Sequence, residues 1–434
     1  MLGKTRNSLF SSLEVKKYVS NTGYMFFGKI LNSFLALFTG IYIARYLAPT
    51  DFGLYQYASS YIILFGAFAS LGLRDIFIKE IVNAQKSESI ILGTILNLRI
   101  LSGFVFSLLA ILASYFTNES DISRLLIIVC SISLIFESAE ILDYWFQAKV
   151  LAKRSQIANV ISLLVASSIK ILFIYLSLSV VYFSISIVLY SAFRLLLMIW
   201  QFQKQGAVIK IFSFDLEIIK DFLFHSWPLI IASLSTVIAM KIDQVMIMQM
   251  MSAASTGIYA AGIKLAEASS FLPTIIVTSI FPKLIQLHRK PNFWLRYRQI
   301  FKYVFWALIV LSLMVTFLSG FIINLFFGLE YQGAAQVLAI YIWTLPLSFS
   351  GMMTVKYMLL LNKTKAIFIR QLIATVGNIL LNLILIPKYG FVGAAFSTIV
   401  PQFLINTFYD FVDKDLKEIL KIKKEIVTFN FFGR

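Results

Sequence analysis

Long apolar segments alternate with short polar connections along almost the whole chain. Each apolar segment has about 20 residues or more, enough for an α-helix to cross the hydrocarbon core of a bilayer. The pattern therefore predicts an all-α polytopic membrane protein with twelve transmembrane helices. The predicted spans are residues 21–44, 52–73, 91–116, 122–147, 155–176, 180–201, 222–249, 255–282, 303–327, 334–361, 366–387 and 389–409.

The polar turn after the first predicted span occurs twice in the sequence. Phe52-Gly53-Leu54-Tyr55 corresponds to Thr256-Gly257-Ile258-Tyr259 at an offset of 204 residues, and Leu151-Ala152-Lys153 corresponds to Leu361-Asn362-Lys363 at an offset of 210. The repeat predicts two six-helix lobes. Because each lobe has an even number of spans, both enter the membrane in the same sense, which is a parallel repeat.

The connections divide the chain into four regions. We predict an N-terminal six-helix lobe at 1–205, a cytoplasmic linker at 206–221, a second six-helix lobe at 222–409 and a basic amphipathic tail at 410–434. Most of the 38 Lys and Arg residues fall in the N-terminus, in the connections after even-numbered spans and in the tail. Since cytoplasmic connections collect basic residues, both termini are predicted to be cytoplasmic.

Composition agrees with a membrane protein and excludes several other classes. The chain is 59% hydrophobic and 14% charged, outside the range of soluble domains. Its net charge of +17 is explained by the distribution of basic residues between the two membrane faces, so no nucleic-acid partner is expected. The single cysteine, Cys130, allows no internal disulfide, and no metal or cofactor motif is present. The tail at 412–426 predicts an amphipathic helix at the membrane interface.

Charged residues inside the predicted spans are the strongest functional signal. A charge at the bilayer centre costs about 2.5–3.5 kcal/mol, so such residues face a wet cavity, pair with one another or reach the interface. The basic residues in or near spans are Lys29, Arg99, Lys170, Arg194, Lys241, Lys264, Lys356 and Arg370. The acidic residues are Glu137, Glu140, Asp143, Asp243 and Glu267.

The excess of cations predicts a cationic cavity between the lobes that binds an anionic substrate. Lys29 shares a polar helix stripe with Thr22, Asn32 and Ser33, which favours a cavity-lining position. The predicted substrate-binding residues are Lys29, Asn32, Arg99, Lys170, Lys241 and Arg370.

Several of these charges have simpler interpretations. Lys264 and Glu267 are three residues apart, so an intrahelical ion pair is as consistent with the spacing as a functional role. Lys356 and Arg194 lie where their side chains can reach the interface. Lys241 and Asp243 point to nearly opposite sides of a helix, so at most one of them lines a central cavity.

Acidic residues in the spans are candidates for coupling transport to an ion. Glu137 and Glu140 lie about one turn apart in an apolar helix, and Asp243 lies in another span. We predict that these three carboxyl groups bind a proton or Na⁺. The alternative for the two glutamates is protonation, or an ion pair with Arg99 or Lys170.

Two motifs and the span layout resemble a known transporter family. Arg45-Tyr46-Leu47, followed after four residues by Phe52-Gly53-Leu54-Tyr55, and Tyr389-Gly390-Phe391-Val392-Gly393-Ala394-Ala395 are similar to segments of Wzx-type flippases. These belong to the multidrug/oligosaccharidyl-lipid/polysaccharide (MOP) exporter superfamily, whose members have two MATE-like lobes. The resemblance implies translocation of undecaprenyl-diphosphate-linked O-antigen or other polysaccharide units to the periplasmic leaflet of the bacterial inner membrane. Candidate partners are membrane lipids and the pathway's polymerase and chain-length regulator.

Two rival functions are compatible with a polytopic protein. A drug antiporter of the same superfamily would favour an acidic cavity for cationic drugs, whereas bases outnumber acids within these spans. A polysaccharide polymerase needs a large external loop for its catalytic groups, and the predicted external connections are short. The sequence therefore predicts a transporter rather than an enzyme.

Overall fold

The computed structural model describes residues 12–83, 87–117, 120–206, 213–288 and 290–427, and all regular structure in these residues is helical. The first half contains α1 (Ser12–Ala69), α2 (Arg74–Asn83), α3 (Glu88–Ser114), α4 (Asp121–Ser131), α5 (Ser133–Phe136), α6 (Ala139–Ala148), α7 (Ala152–Tyr175) and α8 (Val180–Gln203). The second half contains α9 (Leu216–Met250), α10 (Ala253–Ser269), α11 (Phe271–Leu287), α12 (Phe293–Phe326), α13 (Ala334–Tyr341), α14 (Thr344–Leu360), α15 (Thr364–Leu404), α16 (Asp410–Val412) and α17 (Lys417–Val427). A π-helix, Ile405–Tyr409, joins α15 to α16.

Ten helical stretches within the described residues are long and apolar enough to cross a membrane, which confirms a multi-pass membrane protein. Two of them, of 47 and 49 residues, are interrupted by a non-helical residue, Ala48 (φ 57°) in α1 and Gly390 (φ 61°) in α15. Pro49 explains the first break because its ring excludes the residue before it from the helical region. Gly390 adopts its positive φ without a Cβ clash.

The two halves of the chain, α1–α8 and α9–α17, which we call the first and the second lobe, meet through the repeated turn. A Cβ atom on Gly53 would lie 1.8 Å from the carbonyl oxygen of Ala253, and one on Gly257 would lie 2.0 Å from that of Pro49. Pro49 and Ala253 are themselves related by the 204-residue offset, so this backbone contact joins corresponding positions of the sequence repeat. Only glycine permits so close an approach.

Hydrogen bonds reinforce this end of the lobe interface. The Tyr331 hydroxyl donates to the backbone oxygen of Ala44 at 2.7 Å. The Ser60 hydroxyl donates to the Gln244 side-chain oxygen at 2.6 Å. The lobes are therefore closed around Gly53 and Gly257, which we call the closed end.

A larger side chain at Gly53 should open the closed end. Overpacking typically costs about 1–3 kcal/mol, so Gly53→Val should shift the ratio of closed to open lobes by about 5–150-fold. Ala334 is fully buried in the shared core, and a cysteine placed there in a Cys130→Ala background reports the opening. Its labelling by a water-soluble maleimide should accelerate accordingly. Gly320→Val is the matched control, because a Cβ there meets nothing within 4 Å; equal labelling in both variants would contradict the prediction.

The amphipathic tail helix forms, but its apolar face is covered by protein. Leu416, Ile419, Ile422 and Ile426 are buried in one cluster with aromatic residues of the second lobe such as Tyr297. The predicted membrane-interface helix therefore docks on the lobe, and its other lysines, Lys417, Lys421 and Lys424, are exposed.

Lys423 is a basic residue on the docked side of α17. Its ammonium donates to the Asp410 carboxylate at 2.5 Å, to the Thr354 hydroxyl at 3.0 Å and to the backbone oxygen of Asn406 at 3.1 Å. Burial lowers the pKa of Lys423 from 10.5 to about 8, although the Asp410 charge acts in the opposite direction. Docking therefore holds the Lys423 proton less tightly than the free tail does.

This pKa shift predicts that docking strengthens with rising pH. Between about pH 8 and 10.5 the free tail keeps the Lys423 proton and the docked tail releases it, so the docking constant should rise, by at most about tenfold per pH unit. Release of the tail by denaturant, followed with a fluorophore on a cysteine at the exposed Lys421, measures this dependence. Lys423→Met should remove it, and an unchanged slope in that variant would assign the titration to another group.

Candidate functional site

A cavity of about 740 Å³ lies between α1 of the first lobe and α10 and α11 of the second. It is lined by Met25, Ile30, Asn32, Ser33, Ala36, Arg74, Gln156, Glu267, Ser270, Phe271, Thr274, Ile275 and Thr278. Asn32 therefore lines this interlobe cavity, and its side-chain oxygen is buried without a hydrogen-bond partner among the described residues. The Lys29 side chain lies outside the described part of the chain, so its role stays a prediction.

Lysines from both lobes gather between the interlobe cavity and the closed end. The Lys170 ammonium lies 5.9 Å from the ring centre of Tyr55, and the Lys264 ammonium lies 5.7 Å from that of Phe52. Both rings belong to the repeated turn. Gly40 makes room for Lys264, because a Cβ there would lie 2.0 Å from its Cε atom.

The charges around Lys264 leave this region positive. Its charged neighbours are Glu267, Lys170 and Lys241. The Lys241 ammonium lies 3.3 Å from the Glu267 carboxylate, so Glu267 pairs with another helix rather than with Lys264. Neither Lys170 nor Lys264 forms an ion pair with any described residue. Three lysines facing one glutamate form an anion-attracting cluster, which we call the lysine cluster.

Arg99 and the two glutamates lie inside the first lobe, and none of the three is among the residues lining the interlobe cavity. The Arg99 guanidinium is 1% exposed, lies 3.0 Å from the Glu140 carboxylate and also donates to the backbone oxygen of Ala69. The Tyr144 hydroxyl donates to the same carboxylate at 3.2 Å. Arg99 is thus neutralised by Glu140, as in the alternative interpretation of its charge. Glu137 lies beside this pair, and its coupling role stays a prediction.

Asp243 occupies a buried polar centre in the second lobe. One carboxylate oxygen accepts from the side-chain amides of Asn378 at 3.1 Å and Asn382 at 2.6 Å. The other accepts from the hydroxyls of Tyr259 at 2.7 Å and Thr398 at 2.6 Å. Neutral groups donate all four of these hydrogen bonds. The side-chain oxygen of Asn382 is buried and unpartnered among the described residues, so it can accept a cation.

Arg370 is also paired within the second lobe. Its guanidinium lies 3.1 Å from the fully buried Asp410 carboxylate and donates to the Asn406 side-chain oxygen. Lys423 shares the same carboxylate. Arg370 lies in the wall of a second cavity, described below, and not among the lining residues of the interlobe cavity.

An apolar groove of about 210 Å³ adjoins the interlobe cavity. Ser33 and Phe271 line both spaces. The other walls of the groove are supplied by side chains of α12 and α13, including Val315 and Leu338. A polar cavity with an apolar side groove can hold both parts of an amphipathic molecule.

The comparison with known proteins supports a transporter fold. Residues 18–288 match the family described as polysaccharide biosynthesis protein. The chain is 24% identical over 404 residues to the capsular polysaccharide biosynthesis protein CapF of Staphylococcus aureus. The alignment covers 90% of this chain and 98% of that protein. Its fold is similar to that of the lipid II flippase MurJ in an inward closed conformation (TM-score 0.67, 17% identity, 94% of this chain and 91% of that one). It is also similar to an inward-facing MATE family transporter of the MOP superfamily (TM-score 0.65, 16% identity, 93% and 96%).

Proposed function

Because the chain belongs to the polysaccharide biosynthesis protein family, we propose that it moves a diphosphate-linked oligosaccharide lipid across the membrane. The lysine cluster carries this proposal. Lys170 comes from the first lobe and Lys264 from the second, and neither is neutralised by a described carboxylate. A diphosphate bound between them would satisfy both charges, since lysine is a compact cation suited to phosphate.

The apolar groove supplies a place for the lipid. Its walls are almost entirely hydrocarbon, and it meets the interlobe cavity at Ser33 and Phe271. A polyprenyl chain can therefore lie in the groove while its diphosphate enters the cavity. This arrangement avoids taking the apolar chain through a polar space.

We propose twelve membrane crossings with both termini in the cytoplasm of a bacterial cell. The interrupted stretches of 47 and 49 residues would each be about 70 Å long as straight helices, more than twice the hydrocarbon thickness, so each supplies two crossings. In this orientation the closed end faces the outside and the interlobe cavity faces the cytoplasm. The lobes then rock about their contact to release an O-antigen or another polysaccharide unit into the outer, periplasmic leaflet, where the polymerase and chain-length regulator of the same pathway are proposed partners.

Asp243 is our proposed coupling residue. Its carboxyl group accepts four hydrogen bonds from neutral donors, and the side-chain oxygen of Asn382, which has no partner among the described residues, lies in the same cluster. A Na⁺ or proton bound here would neutralise the centre and change how the α9 and α15 helices pack. Glu140, by contrast, already balances Arg99.

Transport into sealed vesicles tests the function. The purified protein is reconstituted with a polyprenyl-diphosphate disaccharide that carries a fluorophore on its sugar, and chemical quenching from outside reports transbilayer movement. We expect movement of this lipid and none of the same disaccharide on an uncharged polyprenyl ether. Transport of a fluorescent organic cation instead of the diphosphate lipid would support a drug antiporter and end the proposal.

A further inference from the structure

A second cavity, of about 570 Å³, lies inside the second lobe between α9, α11, α14 and α15. Thr274 and Thr278 on α11 line both this space and the interlobe cavity. We call this space the second-lobe chamber. It adjoins the interlobe cavity, because the two share these lining residues. Its volume falls in the range of ligand pockets, about 300–1,000 Å³.

The second-lobe chamber contains one cation that the described residues leave uncompensated. Arg370 is held by Asp410 at 3.1 Å, and Lys423 of the tail backs the same carboxylate. Lys356, on the opposite wall, forms no ion pair with a described residue. Its ammonium lies 4.5 Å from the ring centre of Phe281, which orients it without neutralising it.

Neutral hydrogen-bonding groups line the rest of the second-lobe chamber. Gln371 and Gln402 contribute side-chain amides to the wall, and Ser348 contributes a hydroxyl. The side-chain oxygen of Gln402 is buried and has no donor in the described structure. Amides and hydroxyls beside a cavity are suited to the hydroxyl groups of a sugar, because each can donate or accept.

We infer that the second-lobe chamber binds the sugar part of the substrate and that Lys356 contacts a carboxylate on one of those sugars. This inference rests on the proposed function and adds a substrate class to it, namely repeat units that contain an acidic sugar. Lys356 is then a specificity-determining residue.

The position of the three spaces supports this assignment. Phe271 of the apolar groove and Thr278 of the second-lobe chamber are seven residues apart on α11, which is about 10 Å along the helix. One molecule can therefore occupy all three sites. Its lipid chain would lie in the groove, its diphosphate at the lysine cluster and its sugars in the second-lobe chamber. Because the lysine cluster binds the diphosphate in this arrangement, Lys356 is available to bind a negatively charged group on a sugar.

Two lipids that differ at one carbon test the inference. Both are polyprenyl-diphosphate disaccharides, one ending in glucose and the other in glucuronic acid, and their binding to the full-length protein in nanodiscs gives two dissociation constants. Wild type should bind the acidic lipid about tenfold more tightly or better, as a charge-assisted hydrogen bond implies. Lys356→Gln should bring the ratio close to one, and Lys356→Arg should restore part of the preference. Lys283→Gln, at an exposed lysine, is the control that should keep the ratio.

The outcomes separate this inference from the proposed function. If wild type binds both lipids equally, the function stands and the acidic-sugar assignment falls. If Lys356→Gln weakens both lipids by the same factor, Lys356 binds the diphosphate and the inference is overturned. If wild type binds neither lipid, the proposed function fails and the inference fails with it.

Discussion

Removing the charge of Lys264 should reduce transport of the diphosphate lipid by about 10–100-fold. Hydrogen bonds between charged partners are worth about 1.5–3 kcal/mol, and each 1.4 kcal/mol is a factor of ten. Lys264→Met keeps the unbranched side chain that packs against Gly40 and removes only the ammonium. Lys170→Met should have a similar effect, because the phosphate would lose its contact with the first lobe.

Vesicle transport at equal amounts of folded protein measures this effect. Lys388→Met is the matched control, since Lys388 is exposed and belongs to none of the three spaces. Full transport by the Lys170→Met/Lys264→Met double variant would remove the lysine cluster from the substrate site. If the variants also unfold at a clearly lower temperature than the wild type, the loss of transport would be explained by disturbed packing and not by loss of substrate binding.

Asp243→Asn should abolish the dependence of transport on an ion gradient. The new NH2 group would face one pair of these donors, either the amides of Asn378 and Asn382 or the hydroxyls of Tyr259 and Thr398, and the side chain would carry no charge for a cation. Coupling between two sites commonly amounts to about 5–150-fold, and in this variant the ratio of rates with and without the gradient should fall to about one.

Imposing Na⁺ and proton gradients separately on the same vesicles distinguishes the ions. Asp121→Asn is the control, because Asp121 is fully solvent-exposed and Arg124 is its one ion-pair partner among the described residues. A variant at Asp243 that keeps its gradient response would transfer the coupling role to Glu137, the other predicted carboxyl group without a described ion pair.

The sequence predicts most of the fold, because the length and hydrophobicity of a segment are enough to identify a membrane helix. The helix breaks were also readable: the predicted span boundaries at 44–52 and 387–389 enclose Ala48 and lie beside Gly390. Ion pairs between helices are harder to predict from the sequence, because they depend on how each helix is rotated relative to its neighbours. Glu267 is three residues from Lys264 but pairs with Lys241, which lies on another helix.

The site was predicted in part for the same reason. A count of charges predicted a cationic region, but Arg99 and Arg370 proved to be paired with Glu140 and Asp410. The spacing of Lys264 and Glu267 is equally consistent with an ion pair and with a functional role, whereas in the structure Lys264 forms no ion pair with a described residue. Asn378 and Asn382, two amides one helical turn apart in an apolar span, are a sequence signal for this site, because both donate to Asp243.

The π-helix at Ile405–Tyr409 makes the length of this segment more critical than its composition. Asn406 lies in this segment and Asp410 directly follows it, and both face Arg370. Deleting one residue here would rotate everything beyond it by about 100°, so that two buried cations, Arg370 and Lys423, would lose their shared counter-ion. Substitutions among the apolar residues of this turn should therefore be far better tolerated than deletion of a single residue, which would detach the C-terminal segment from the helix bundle.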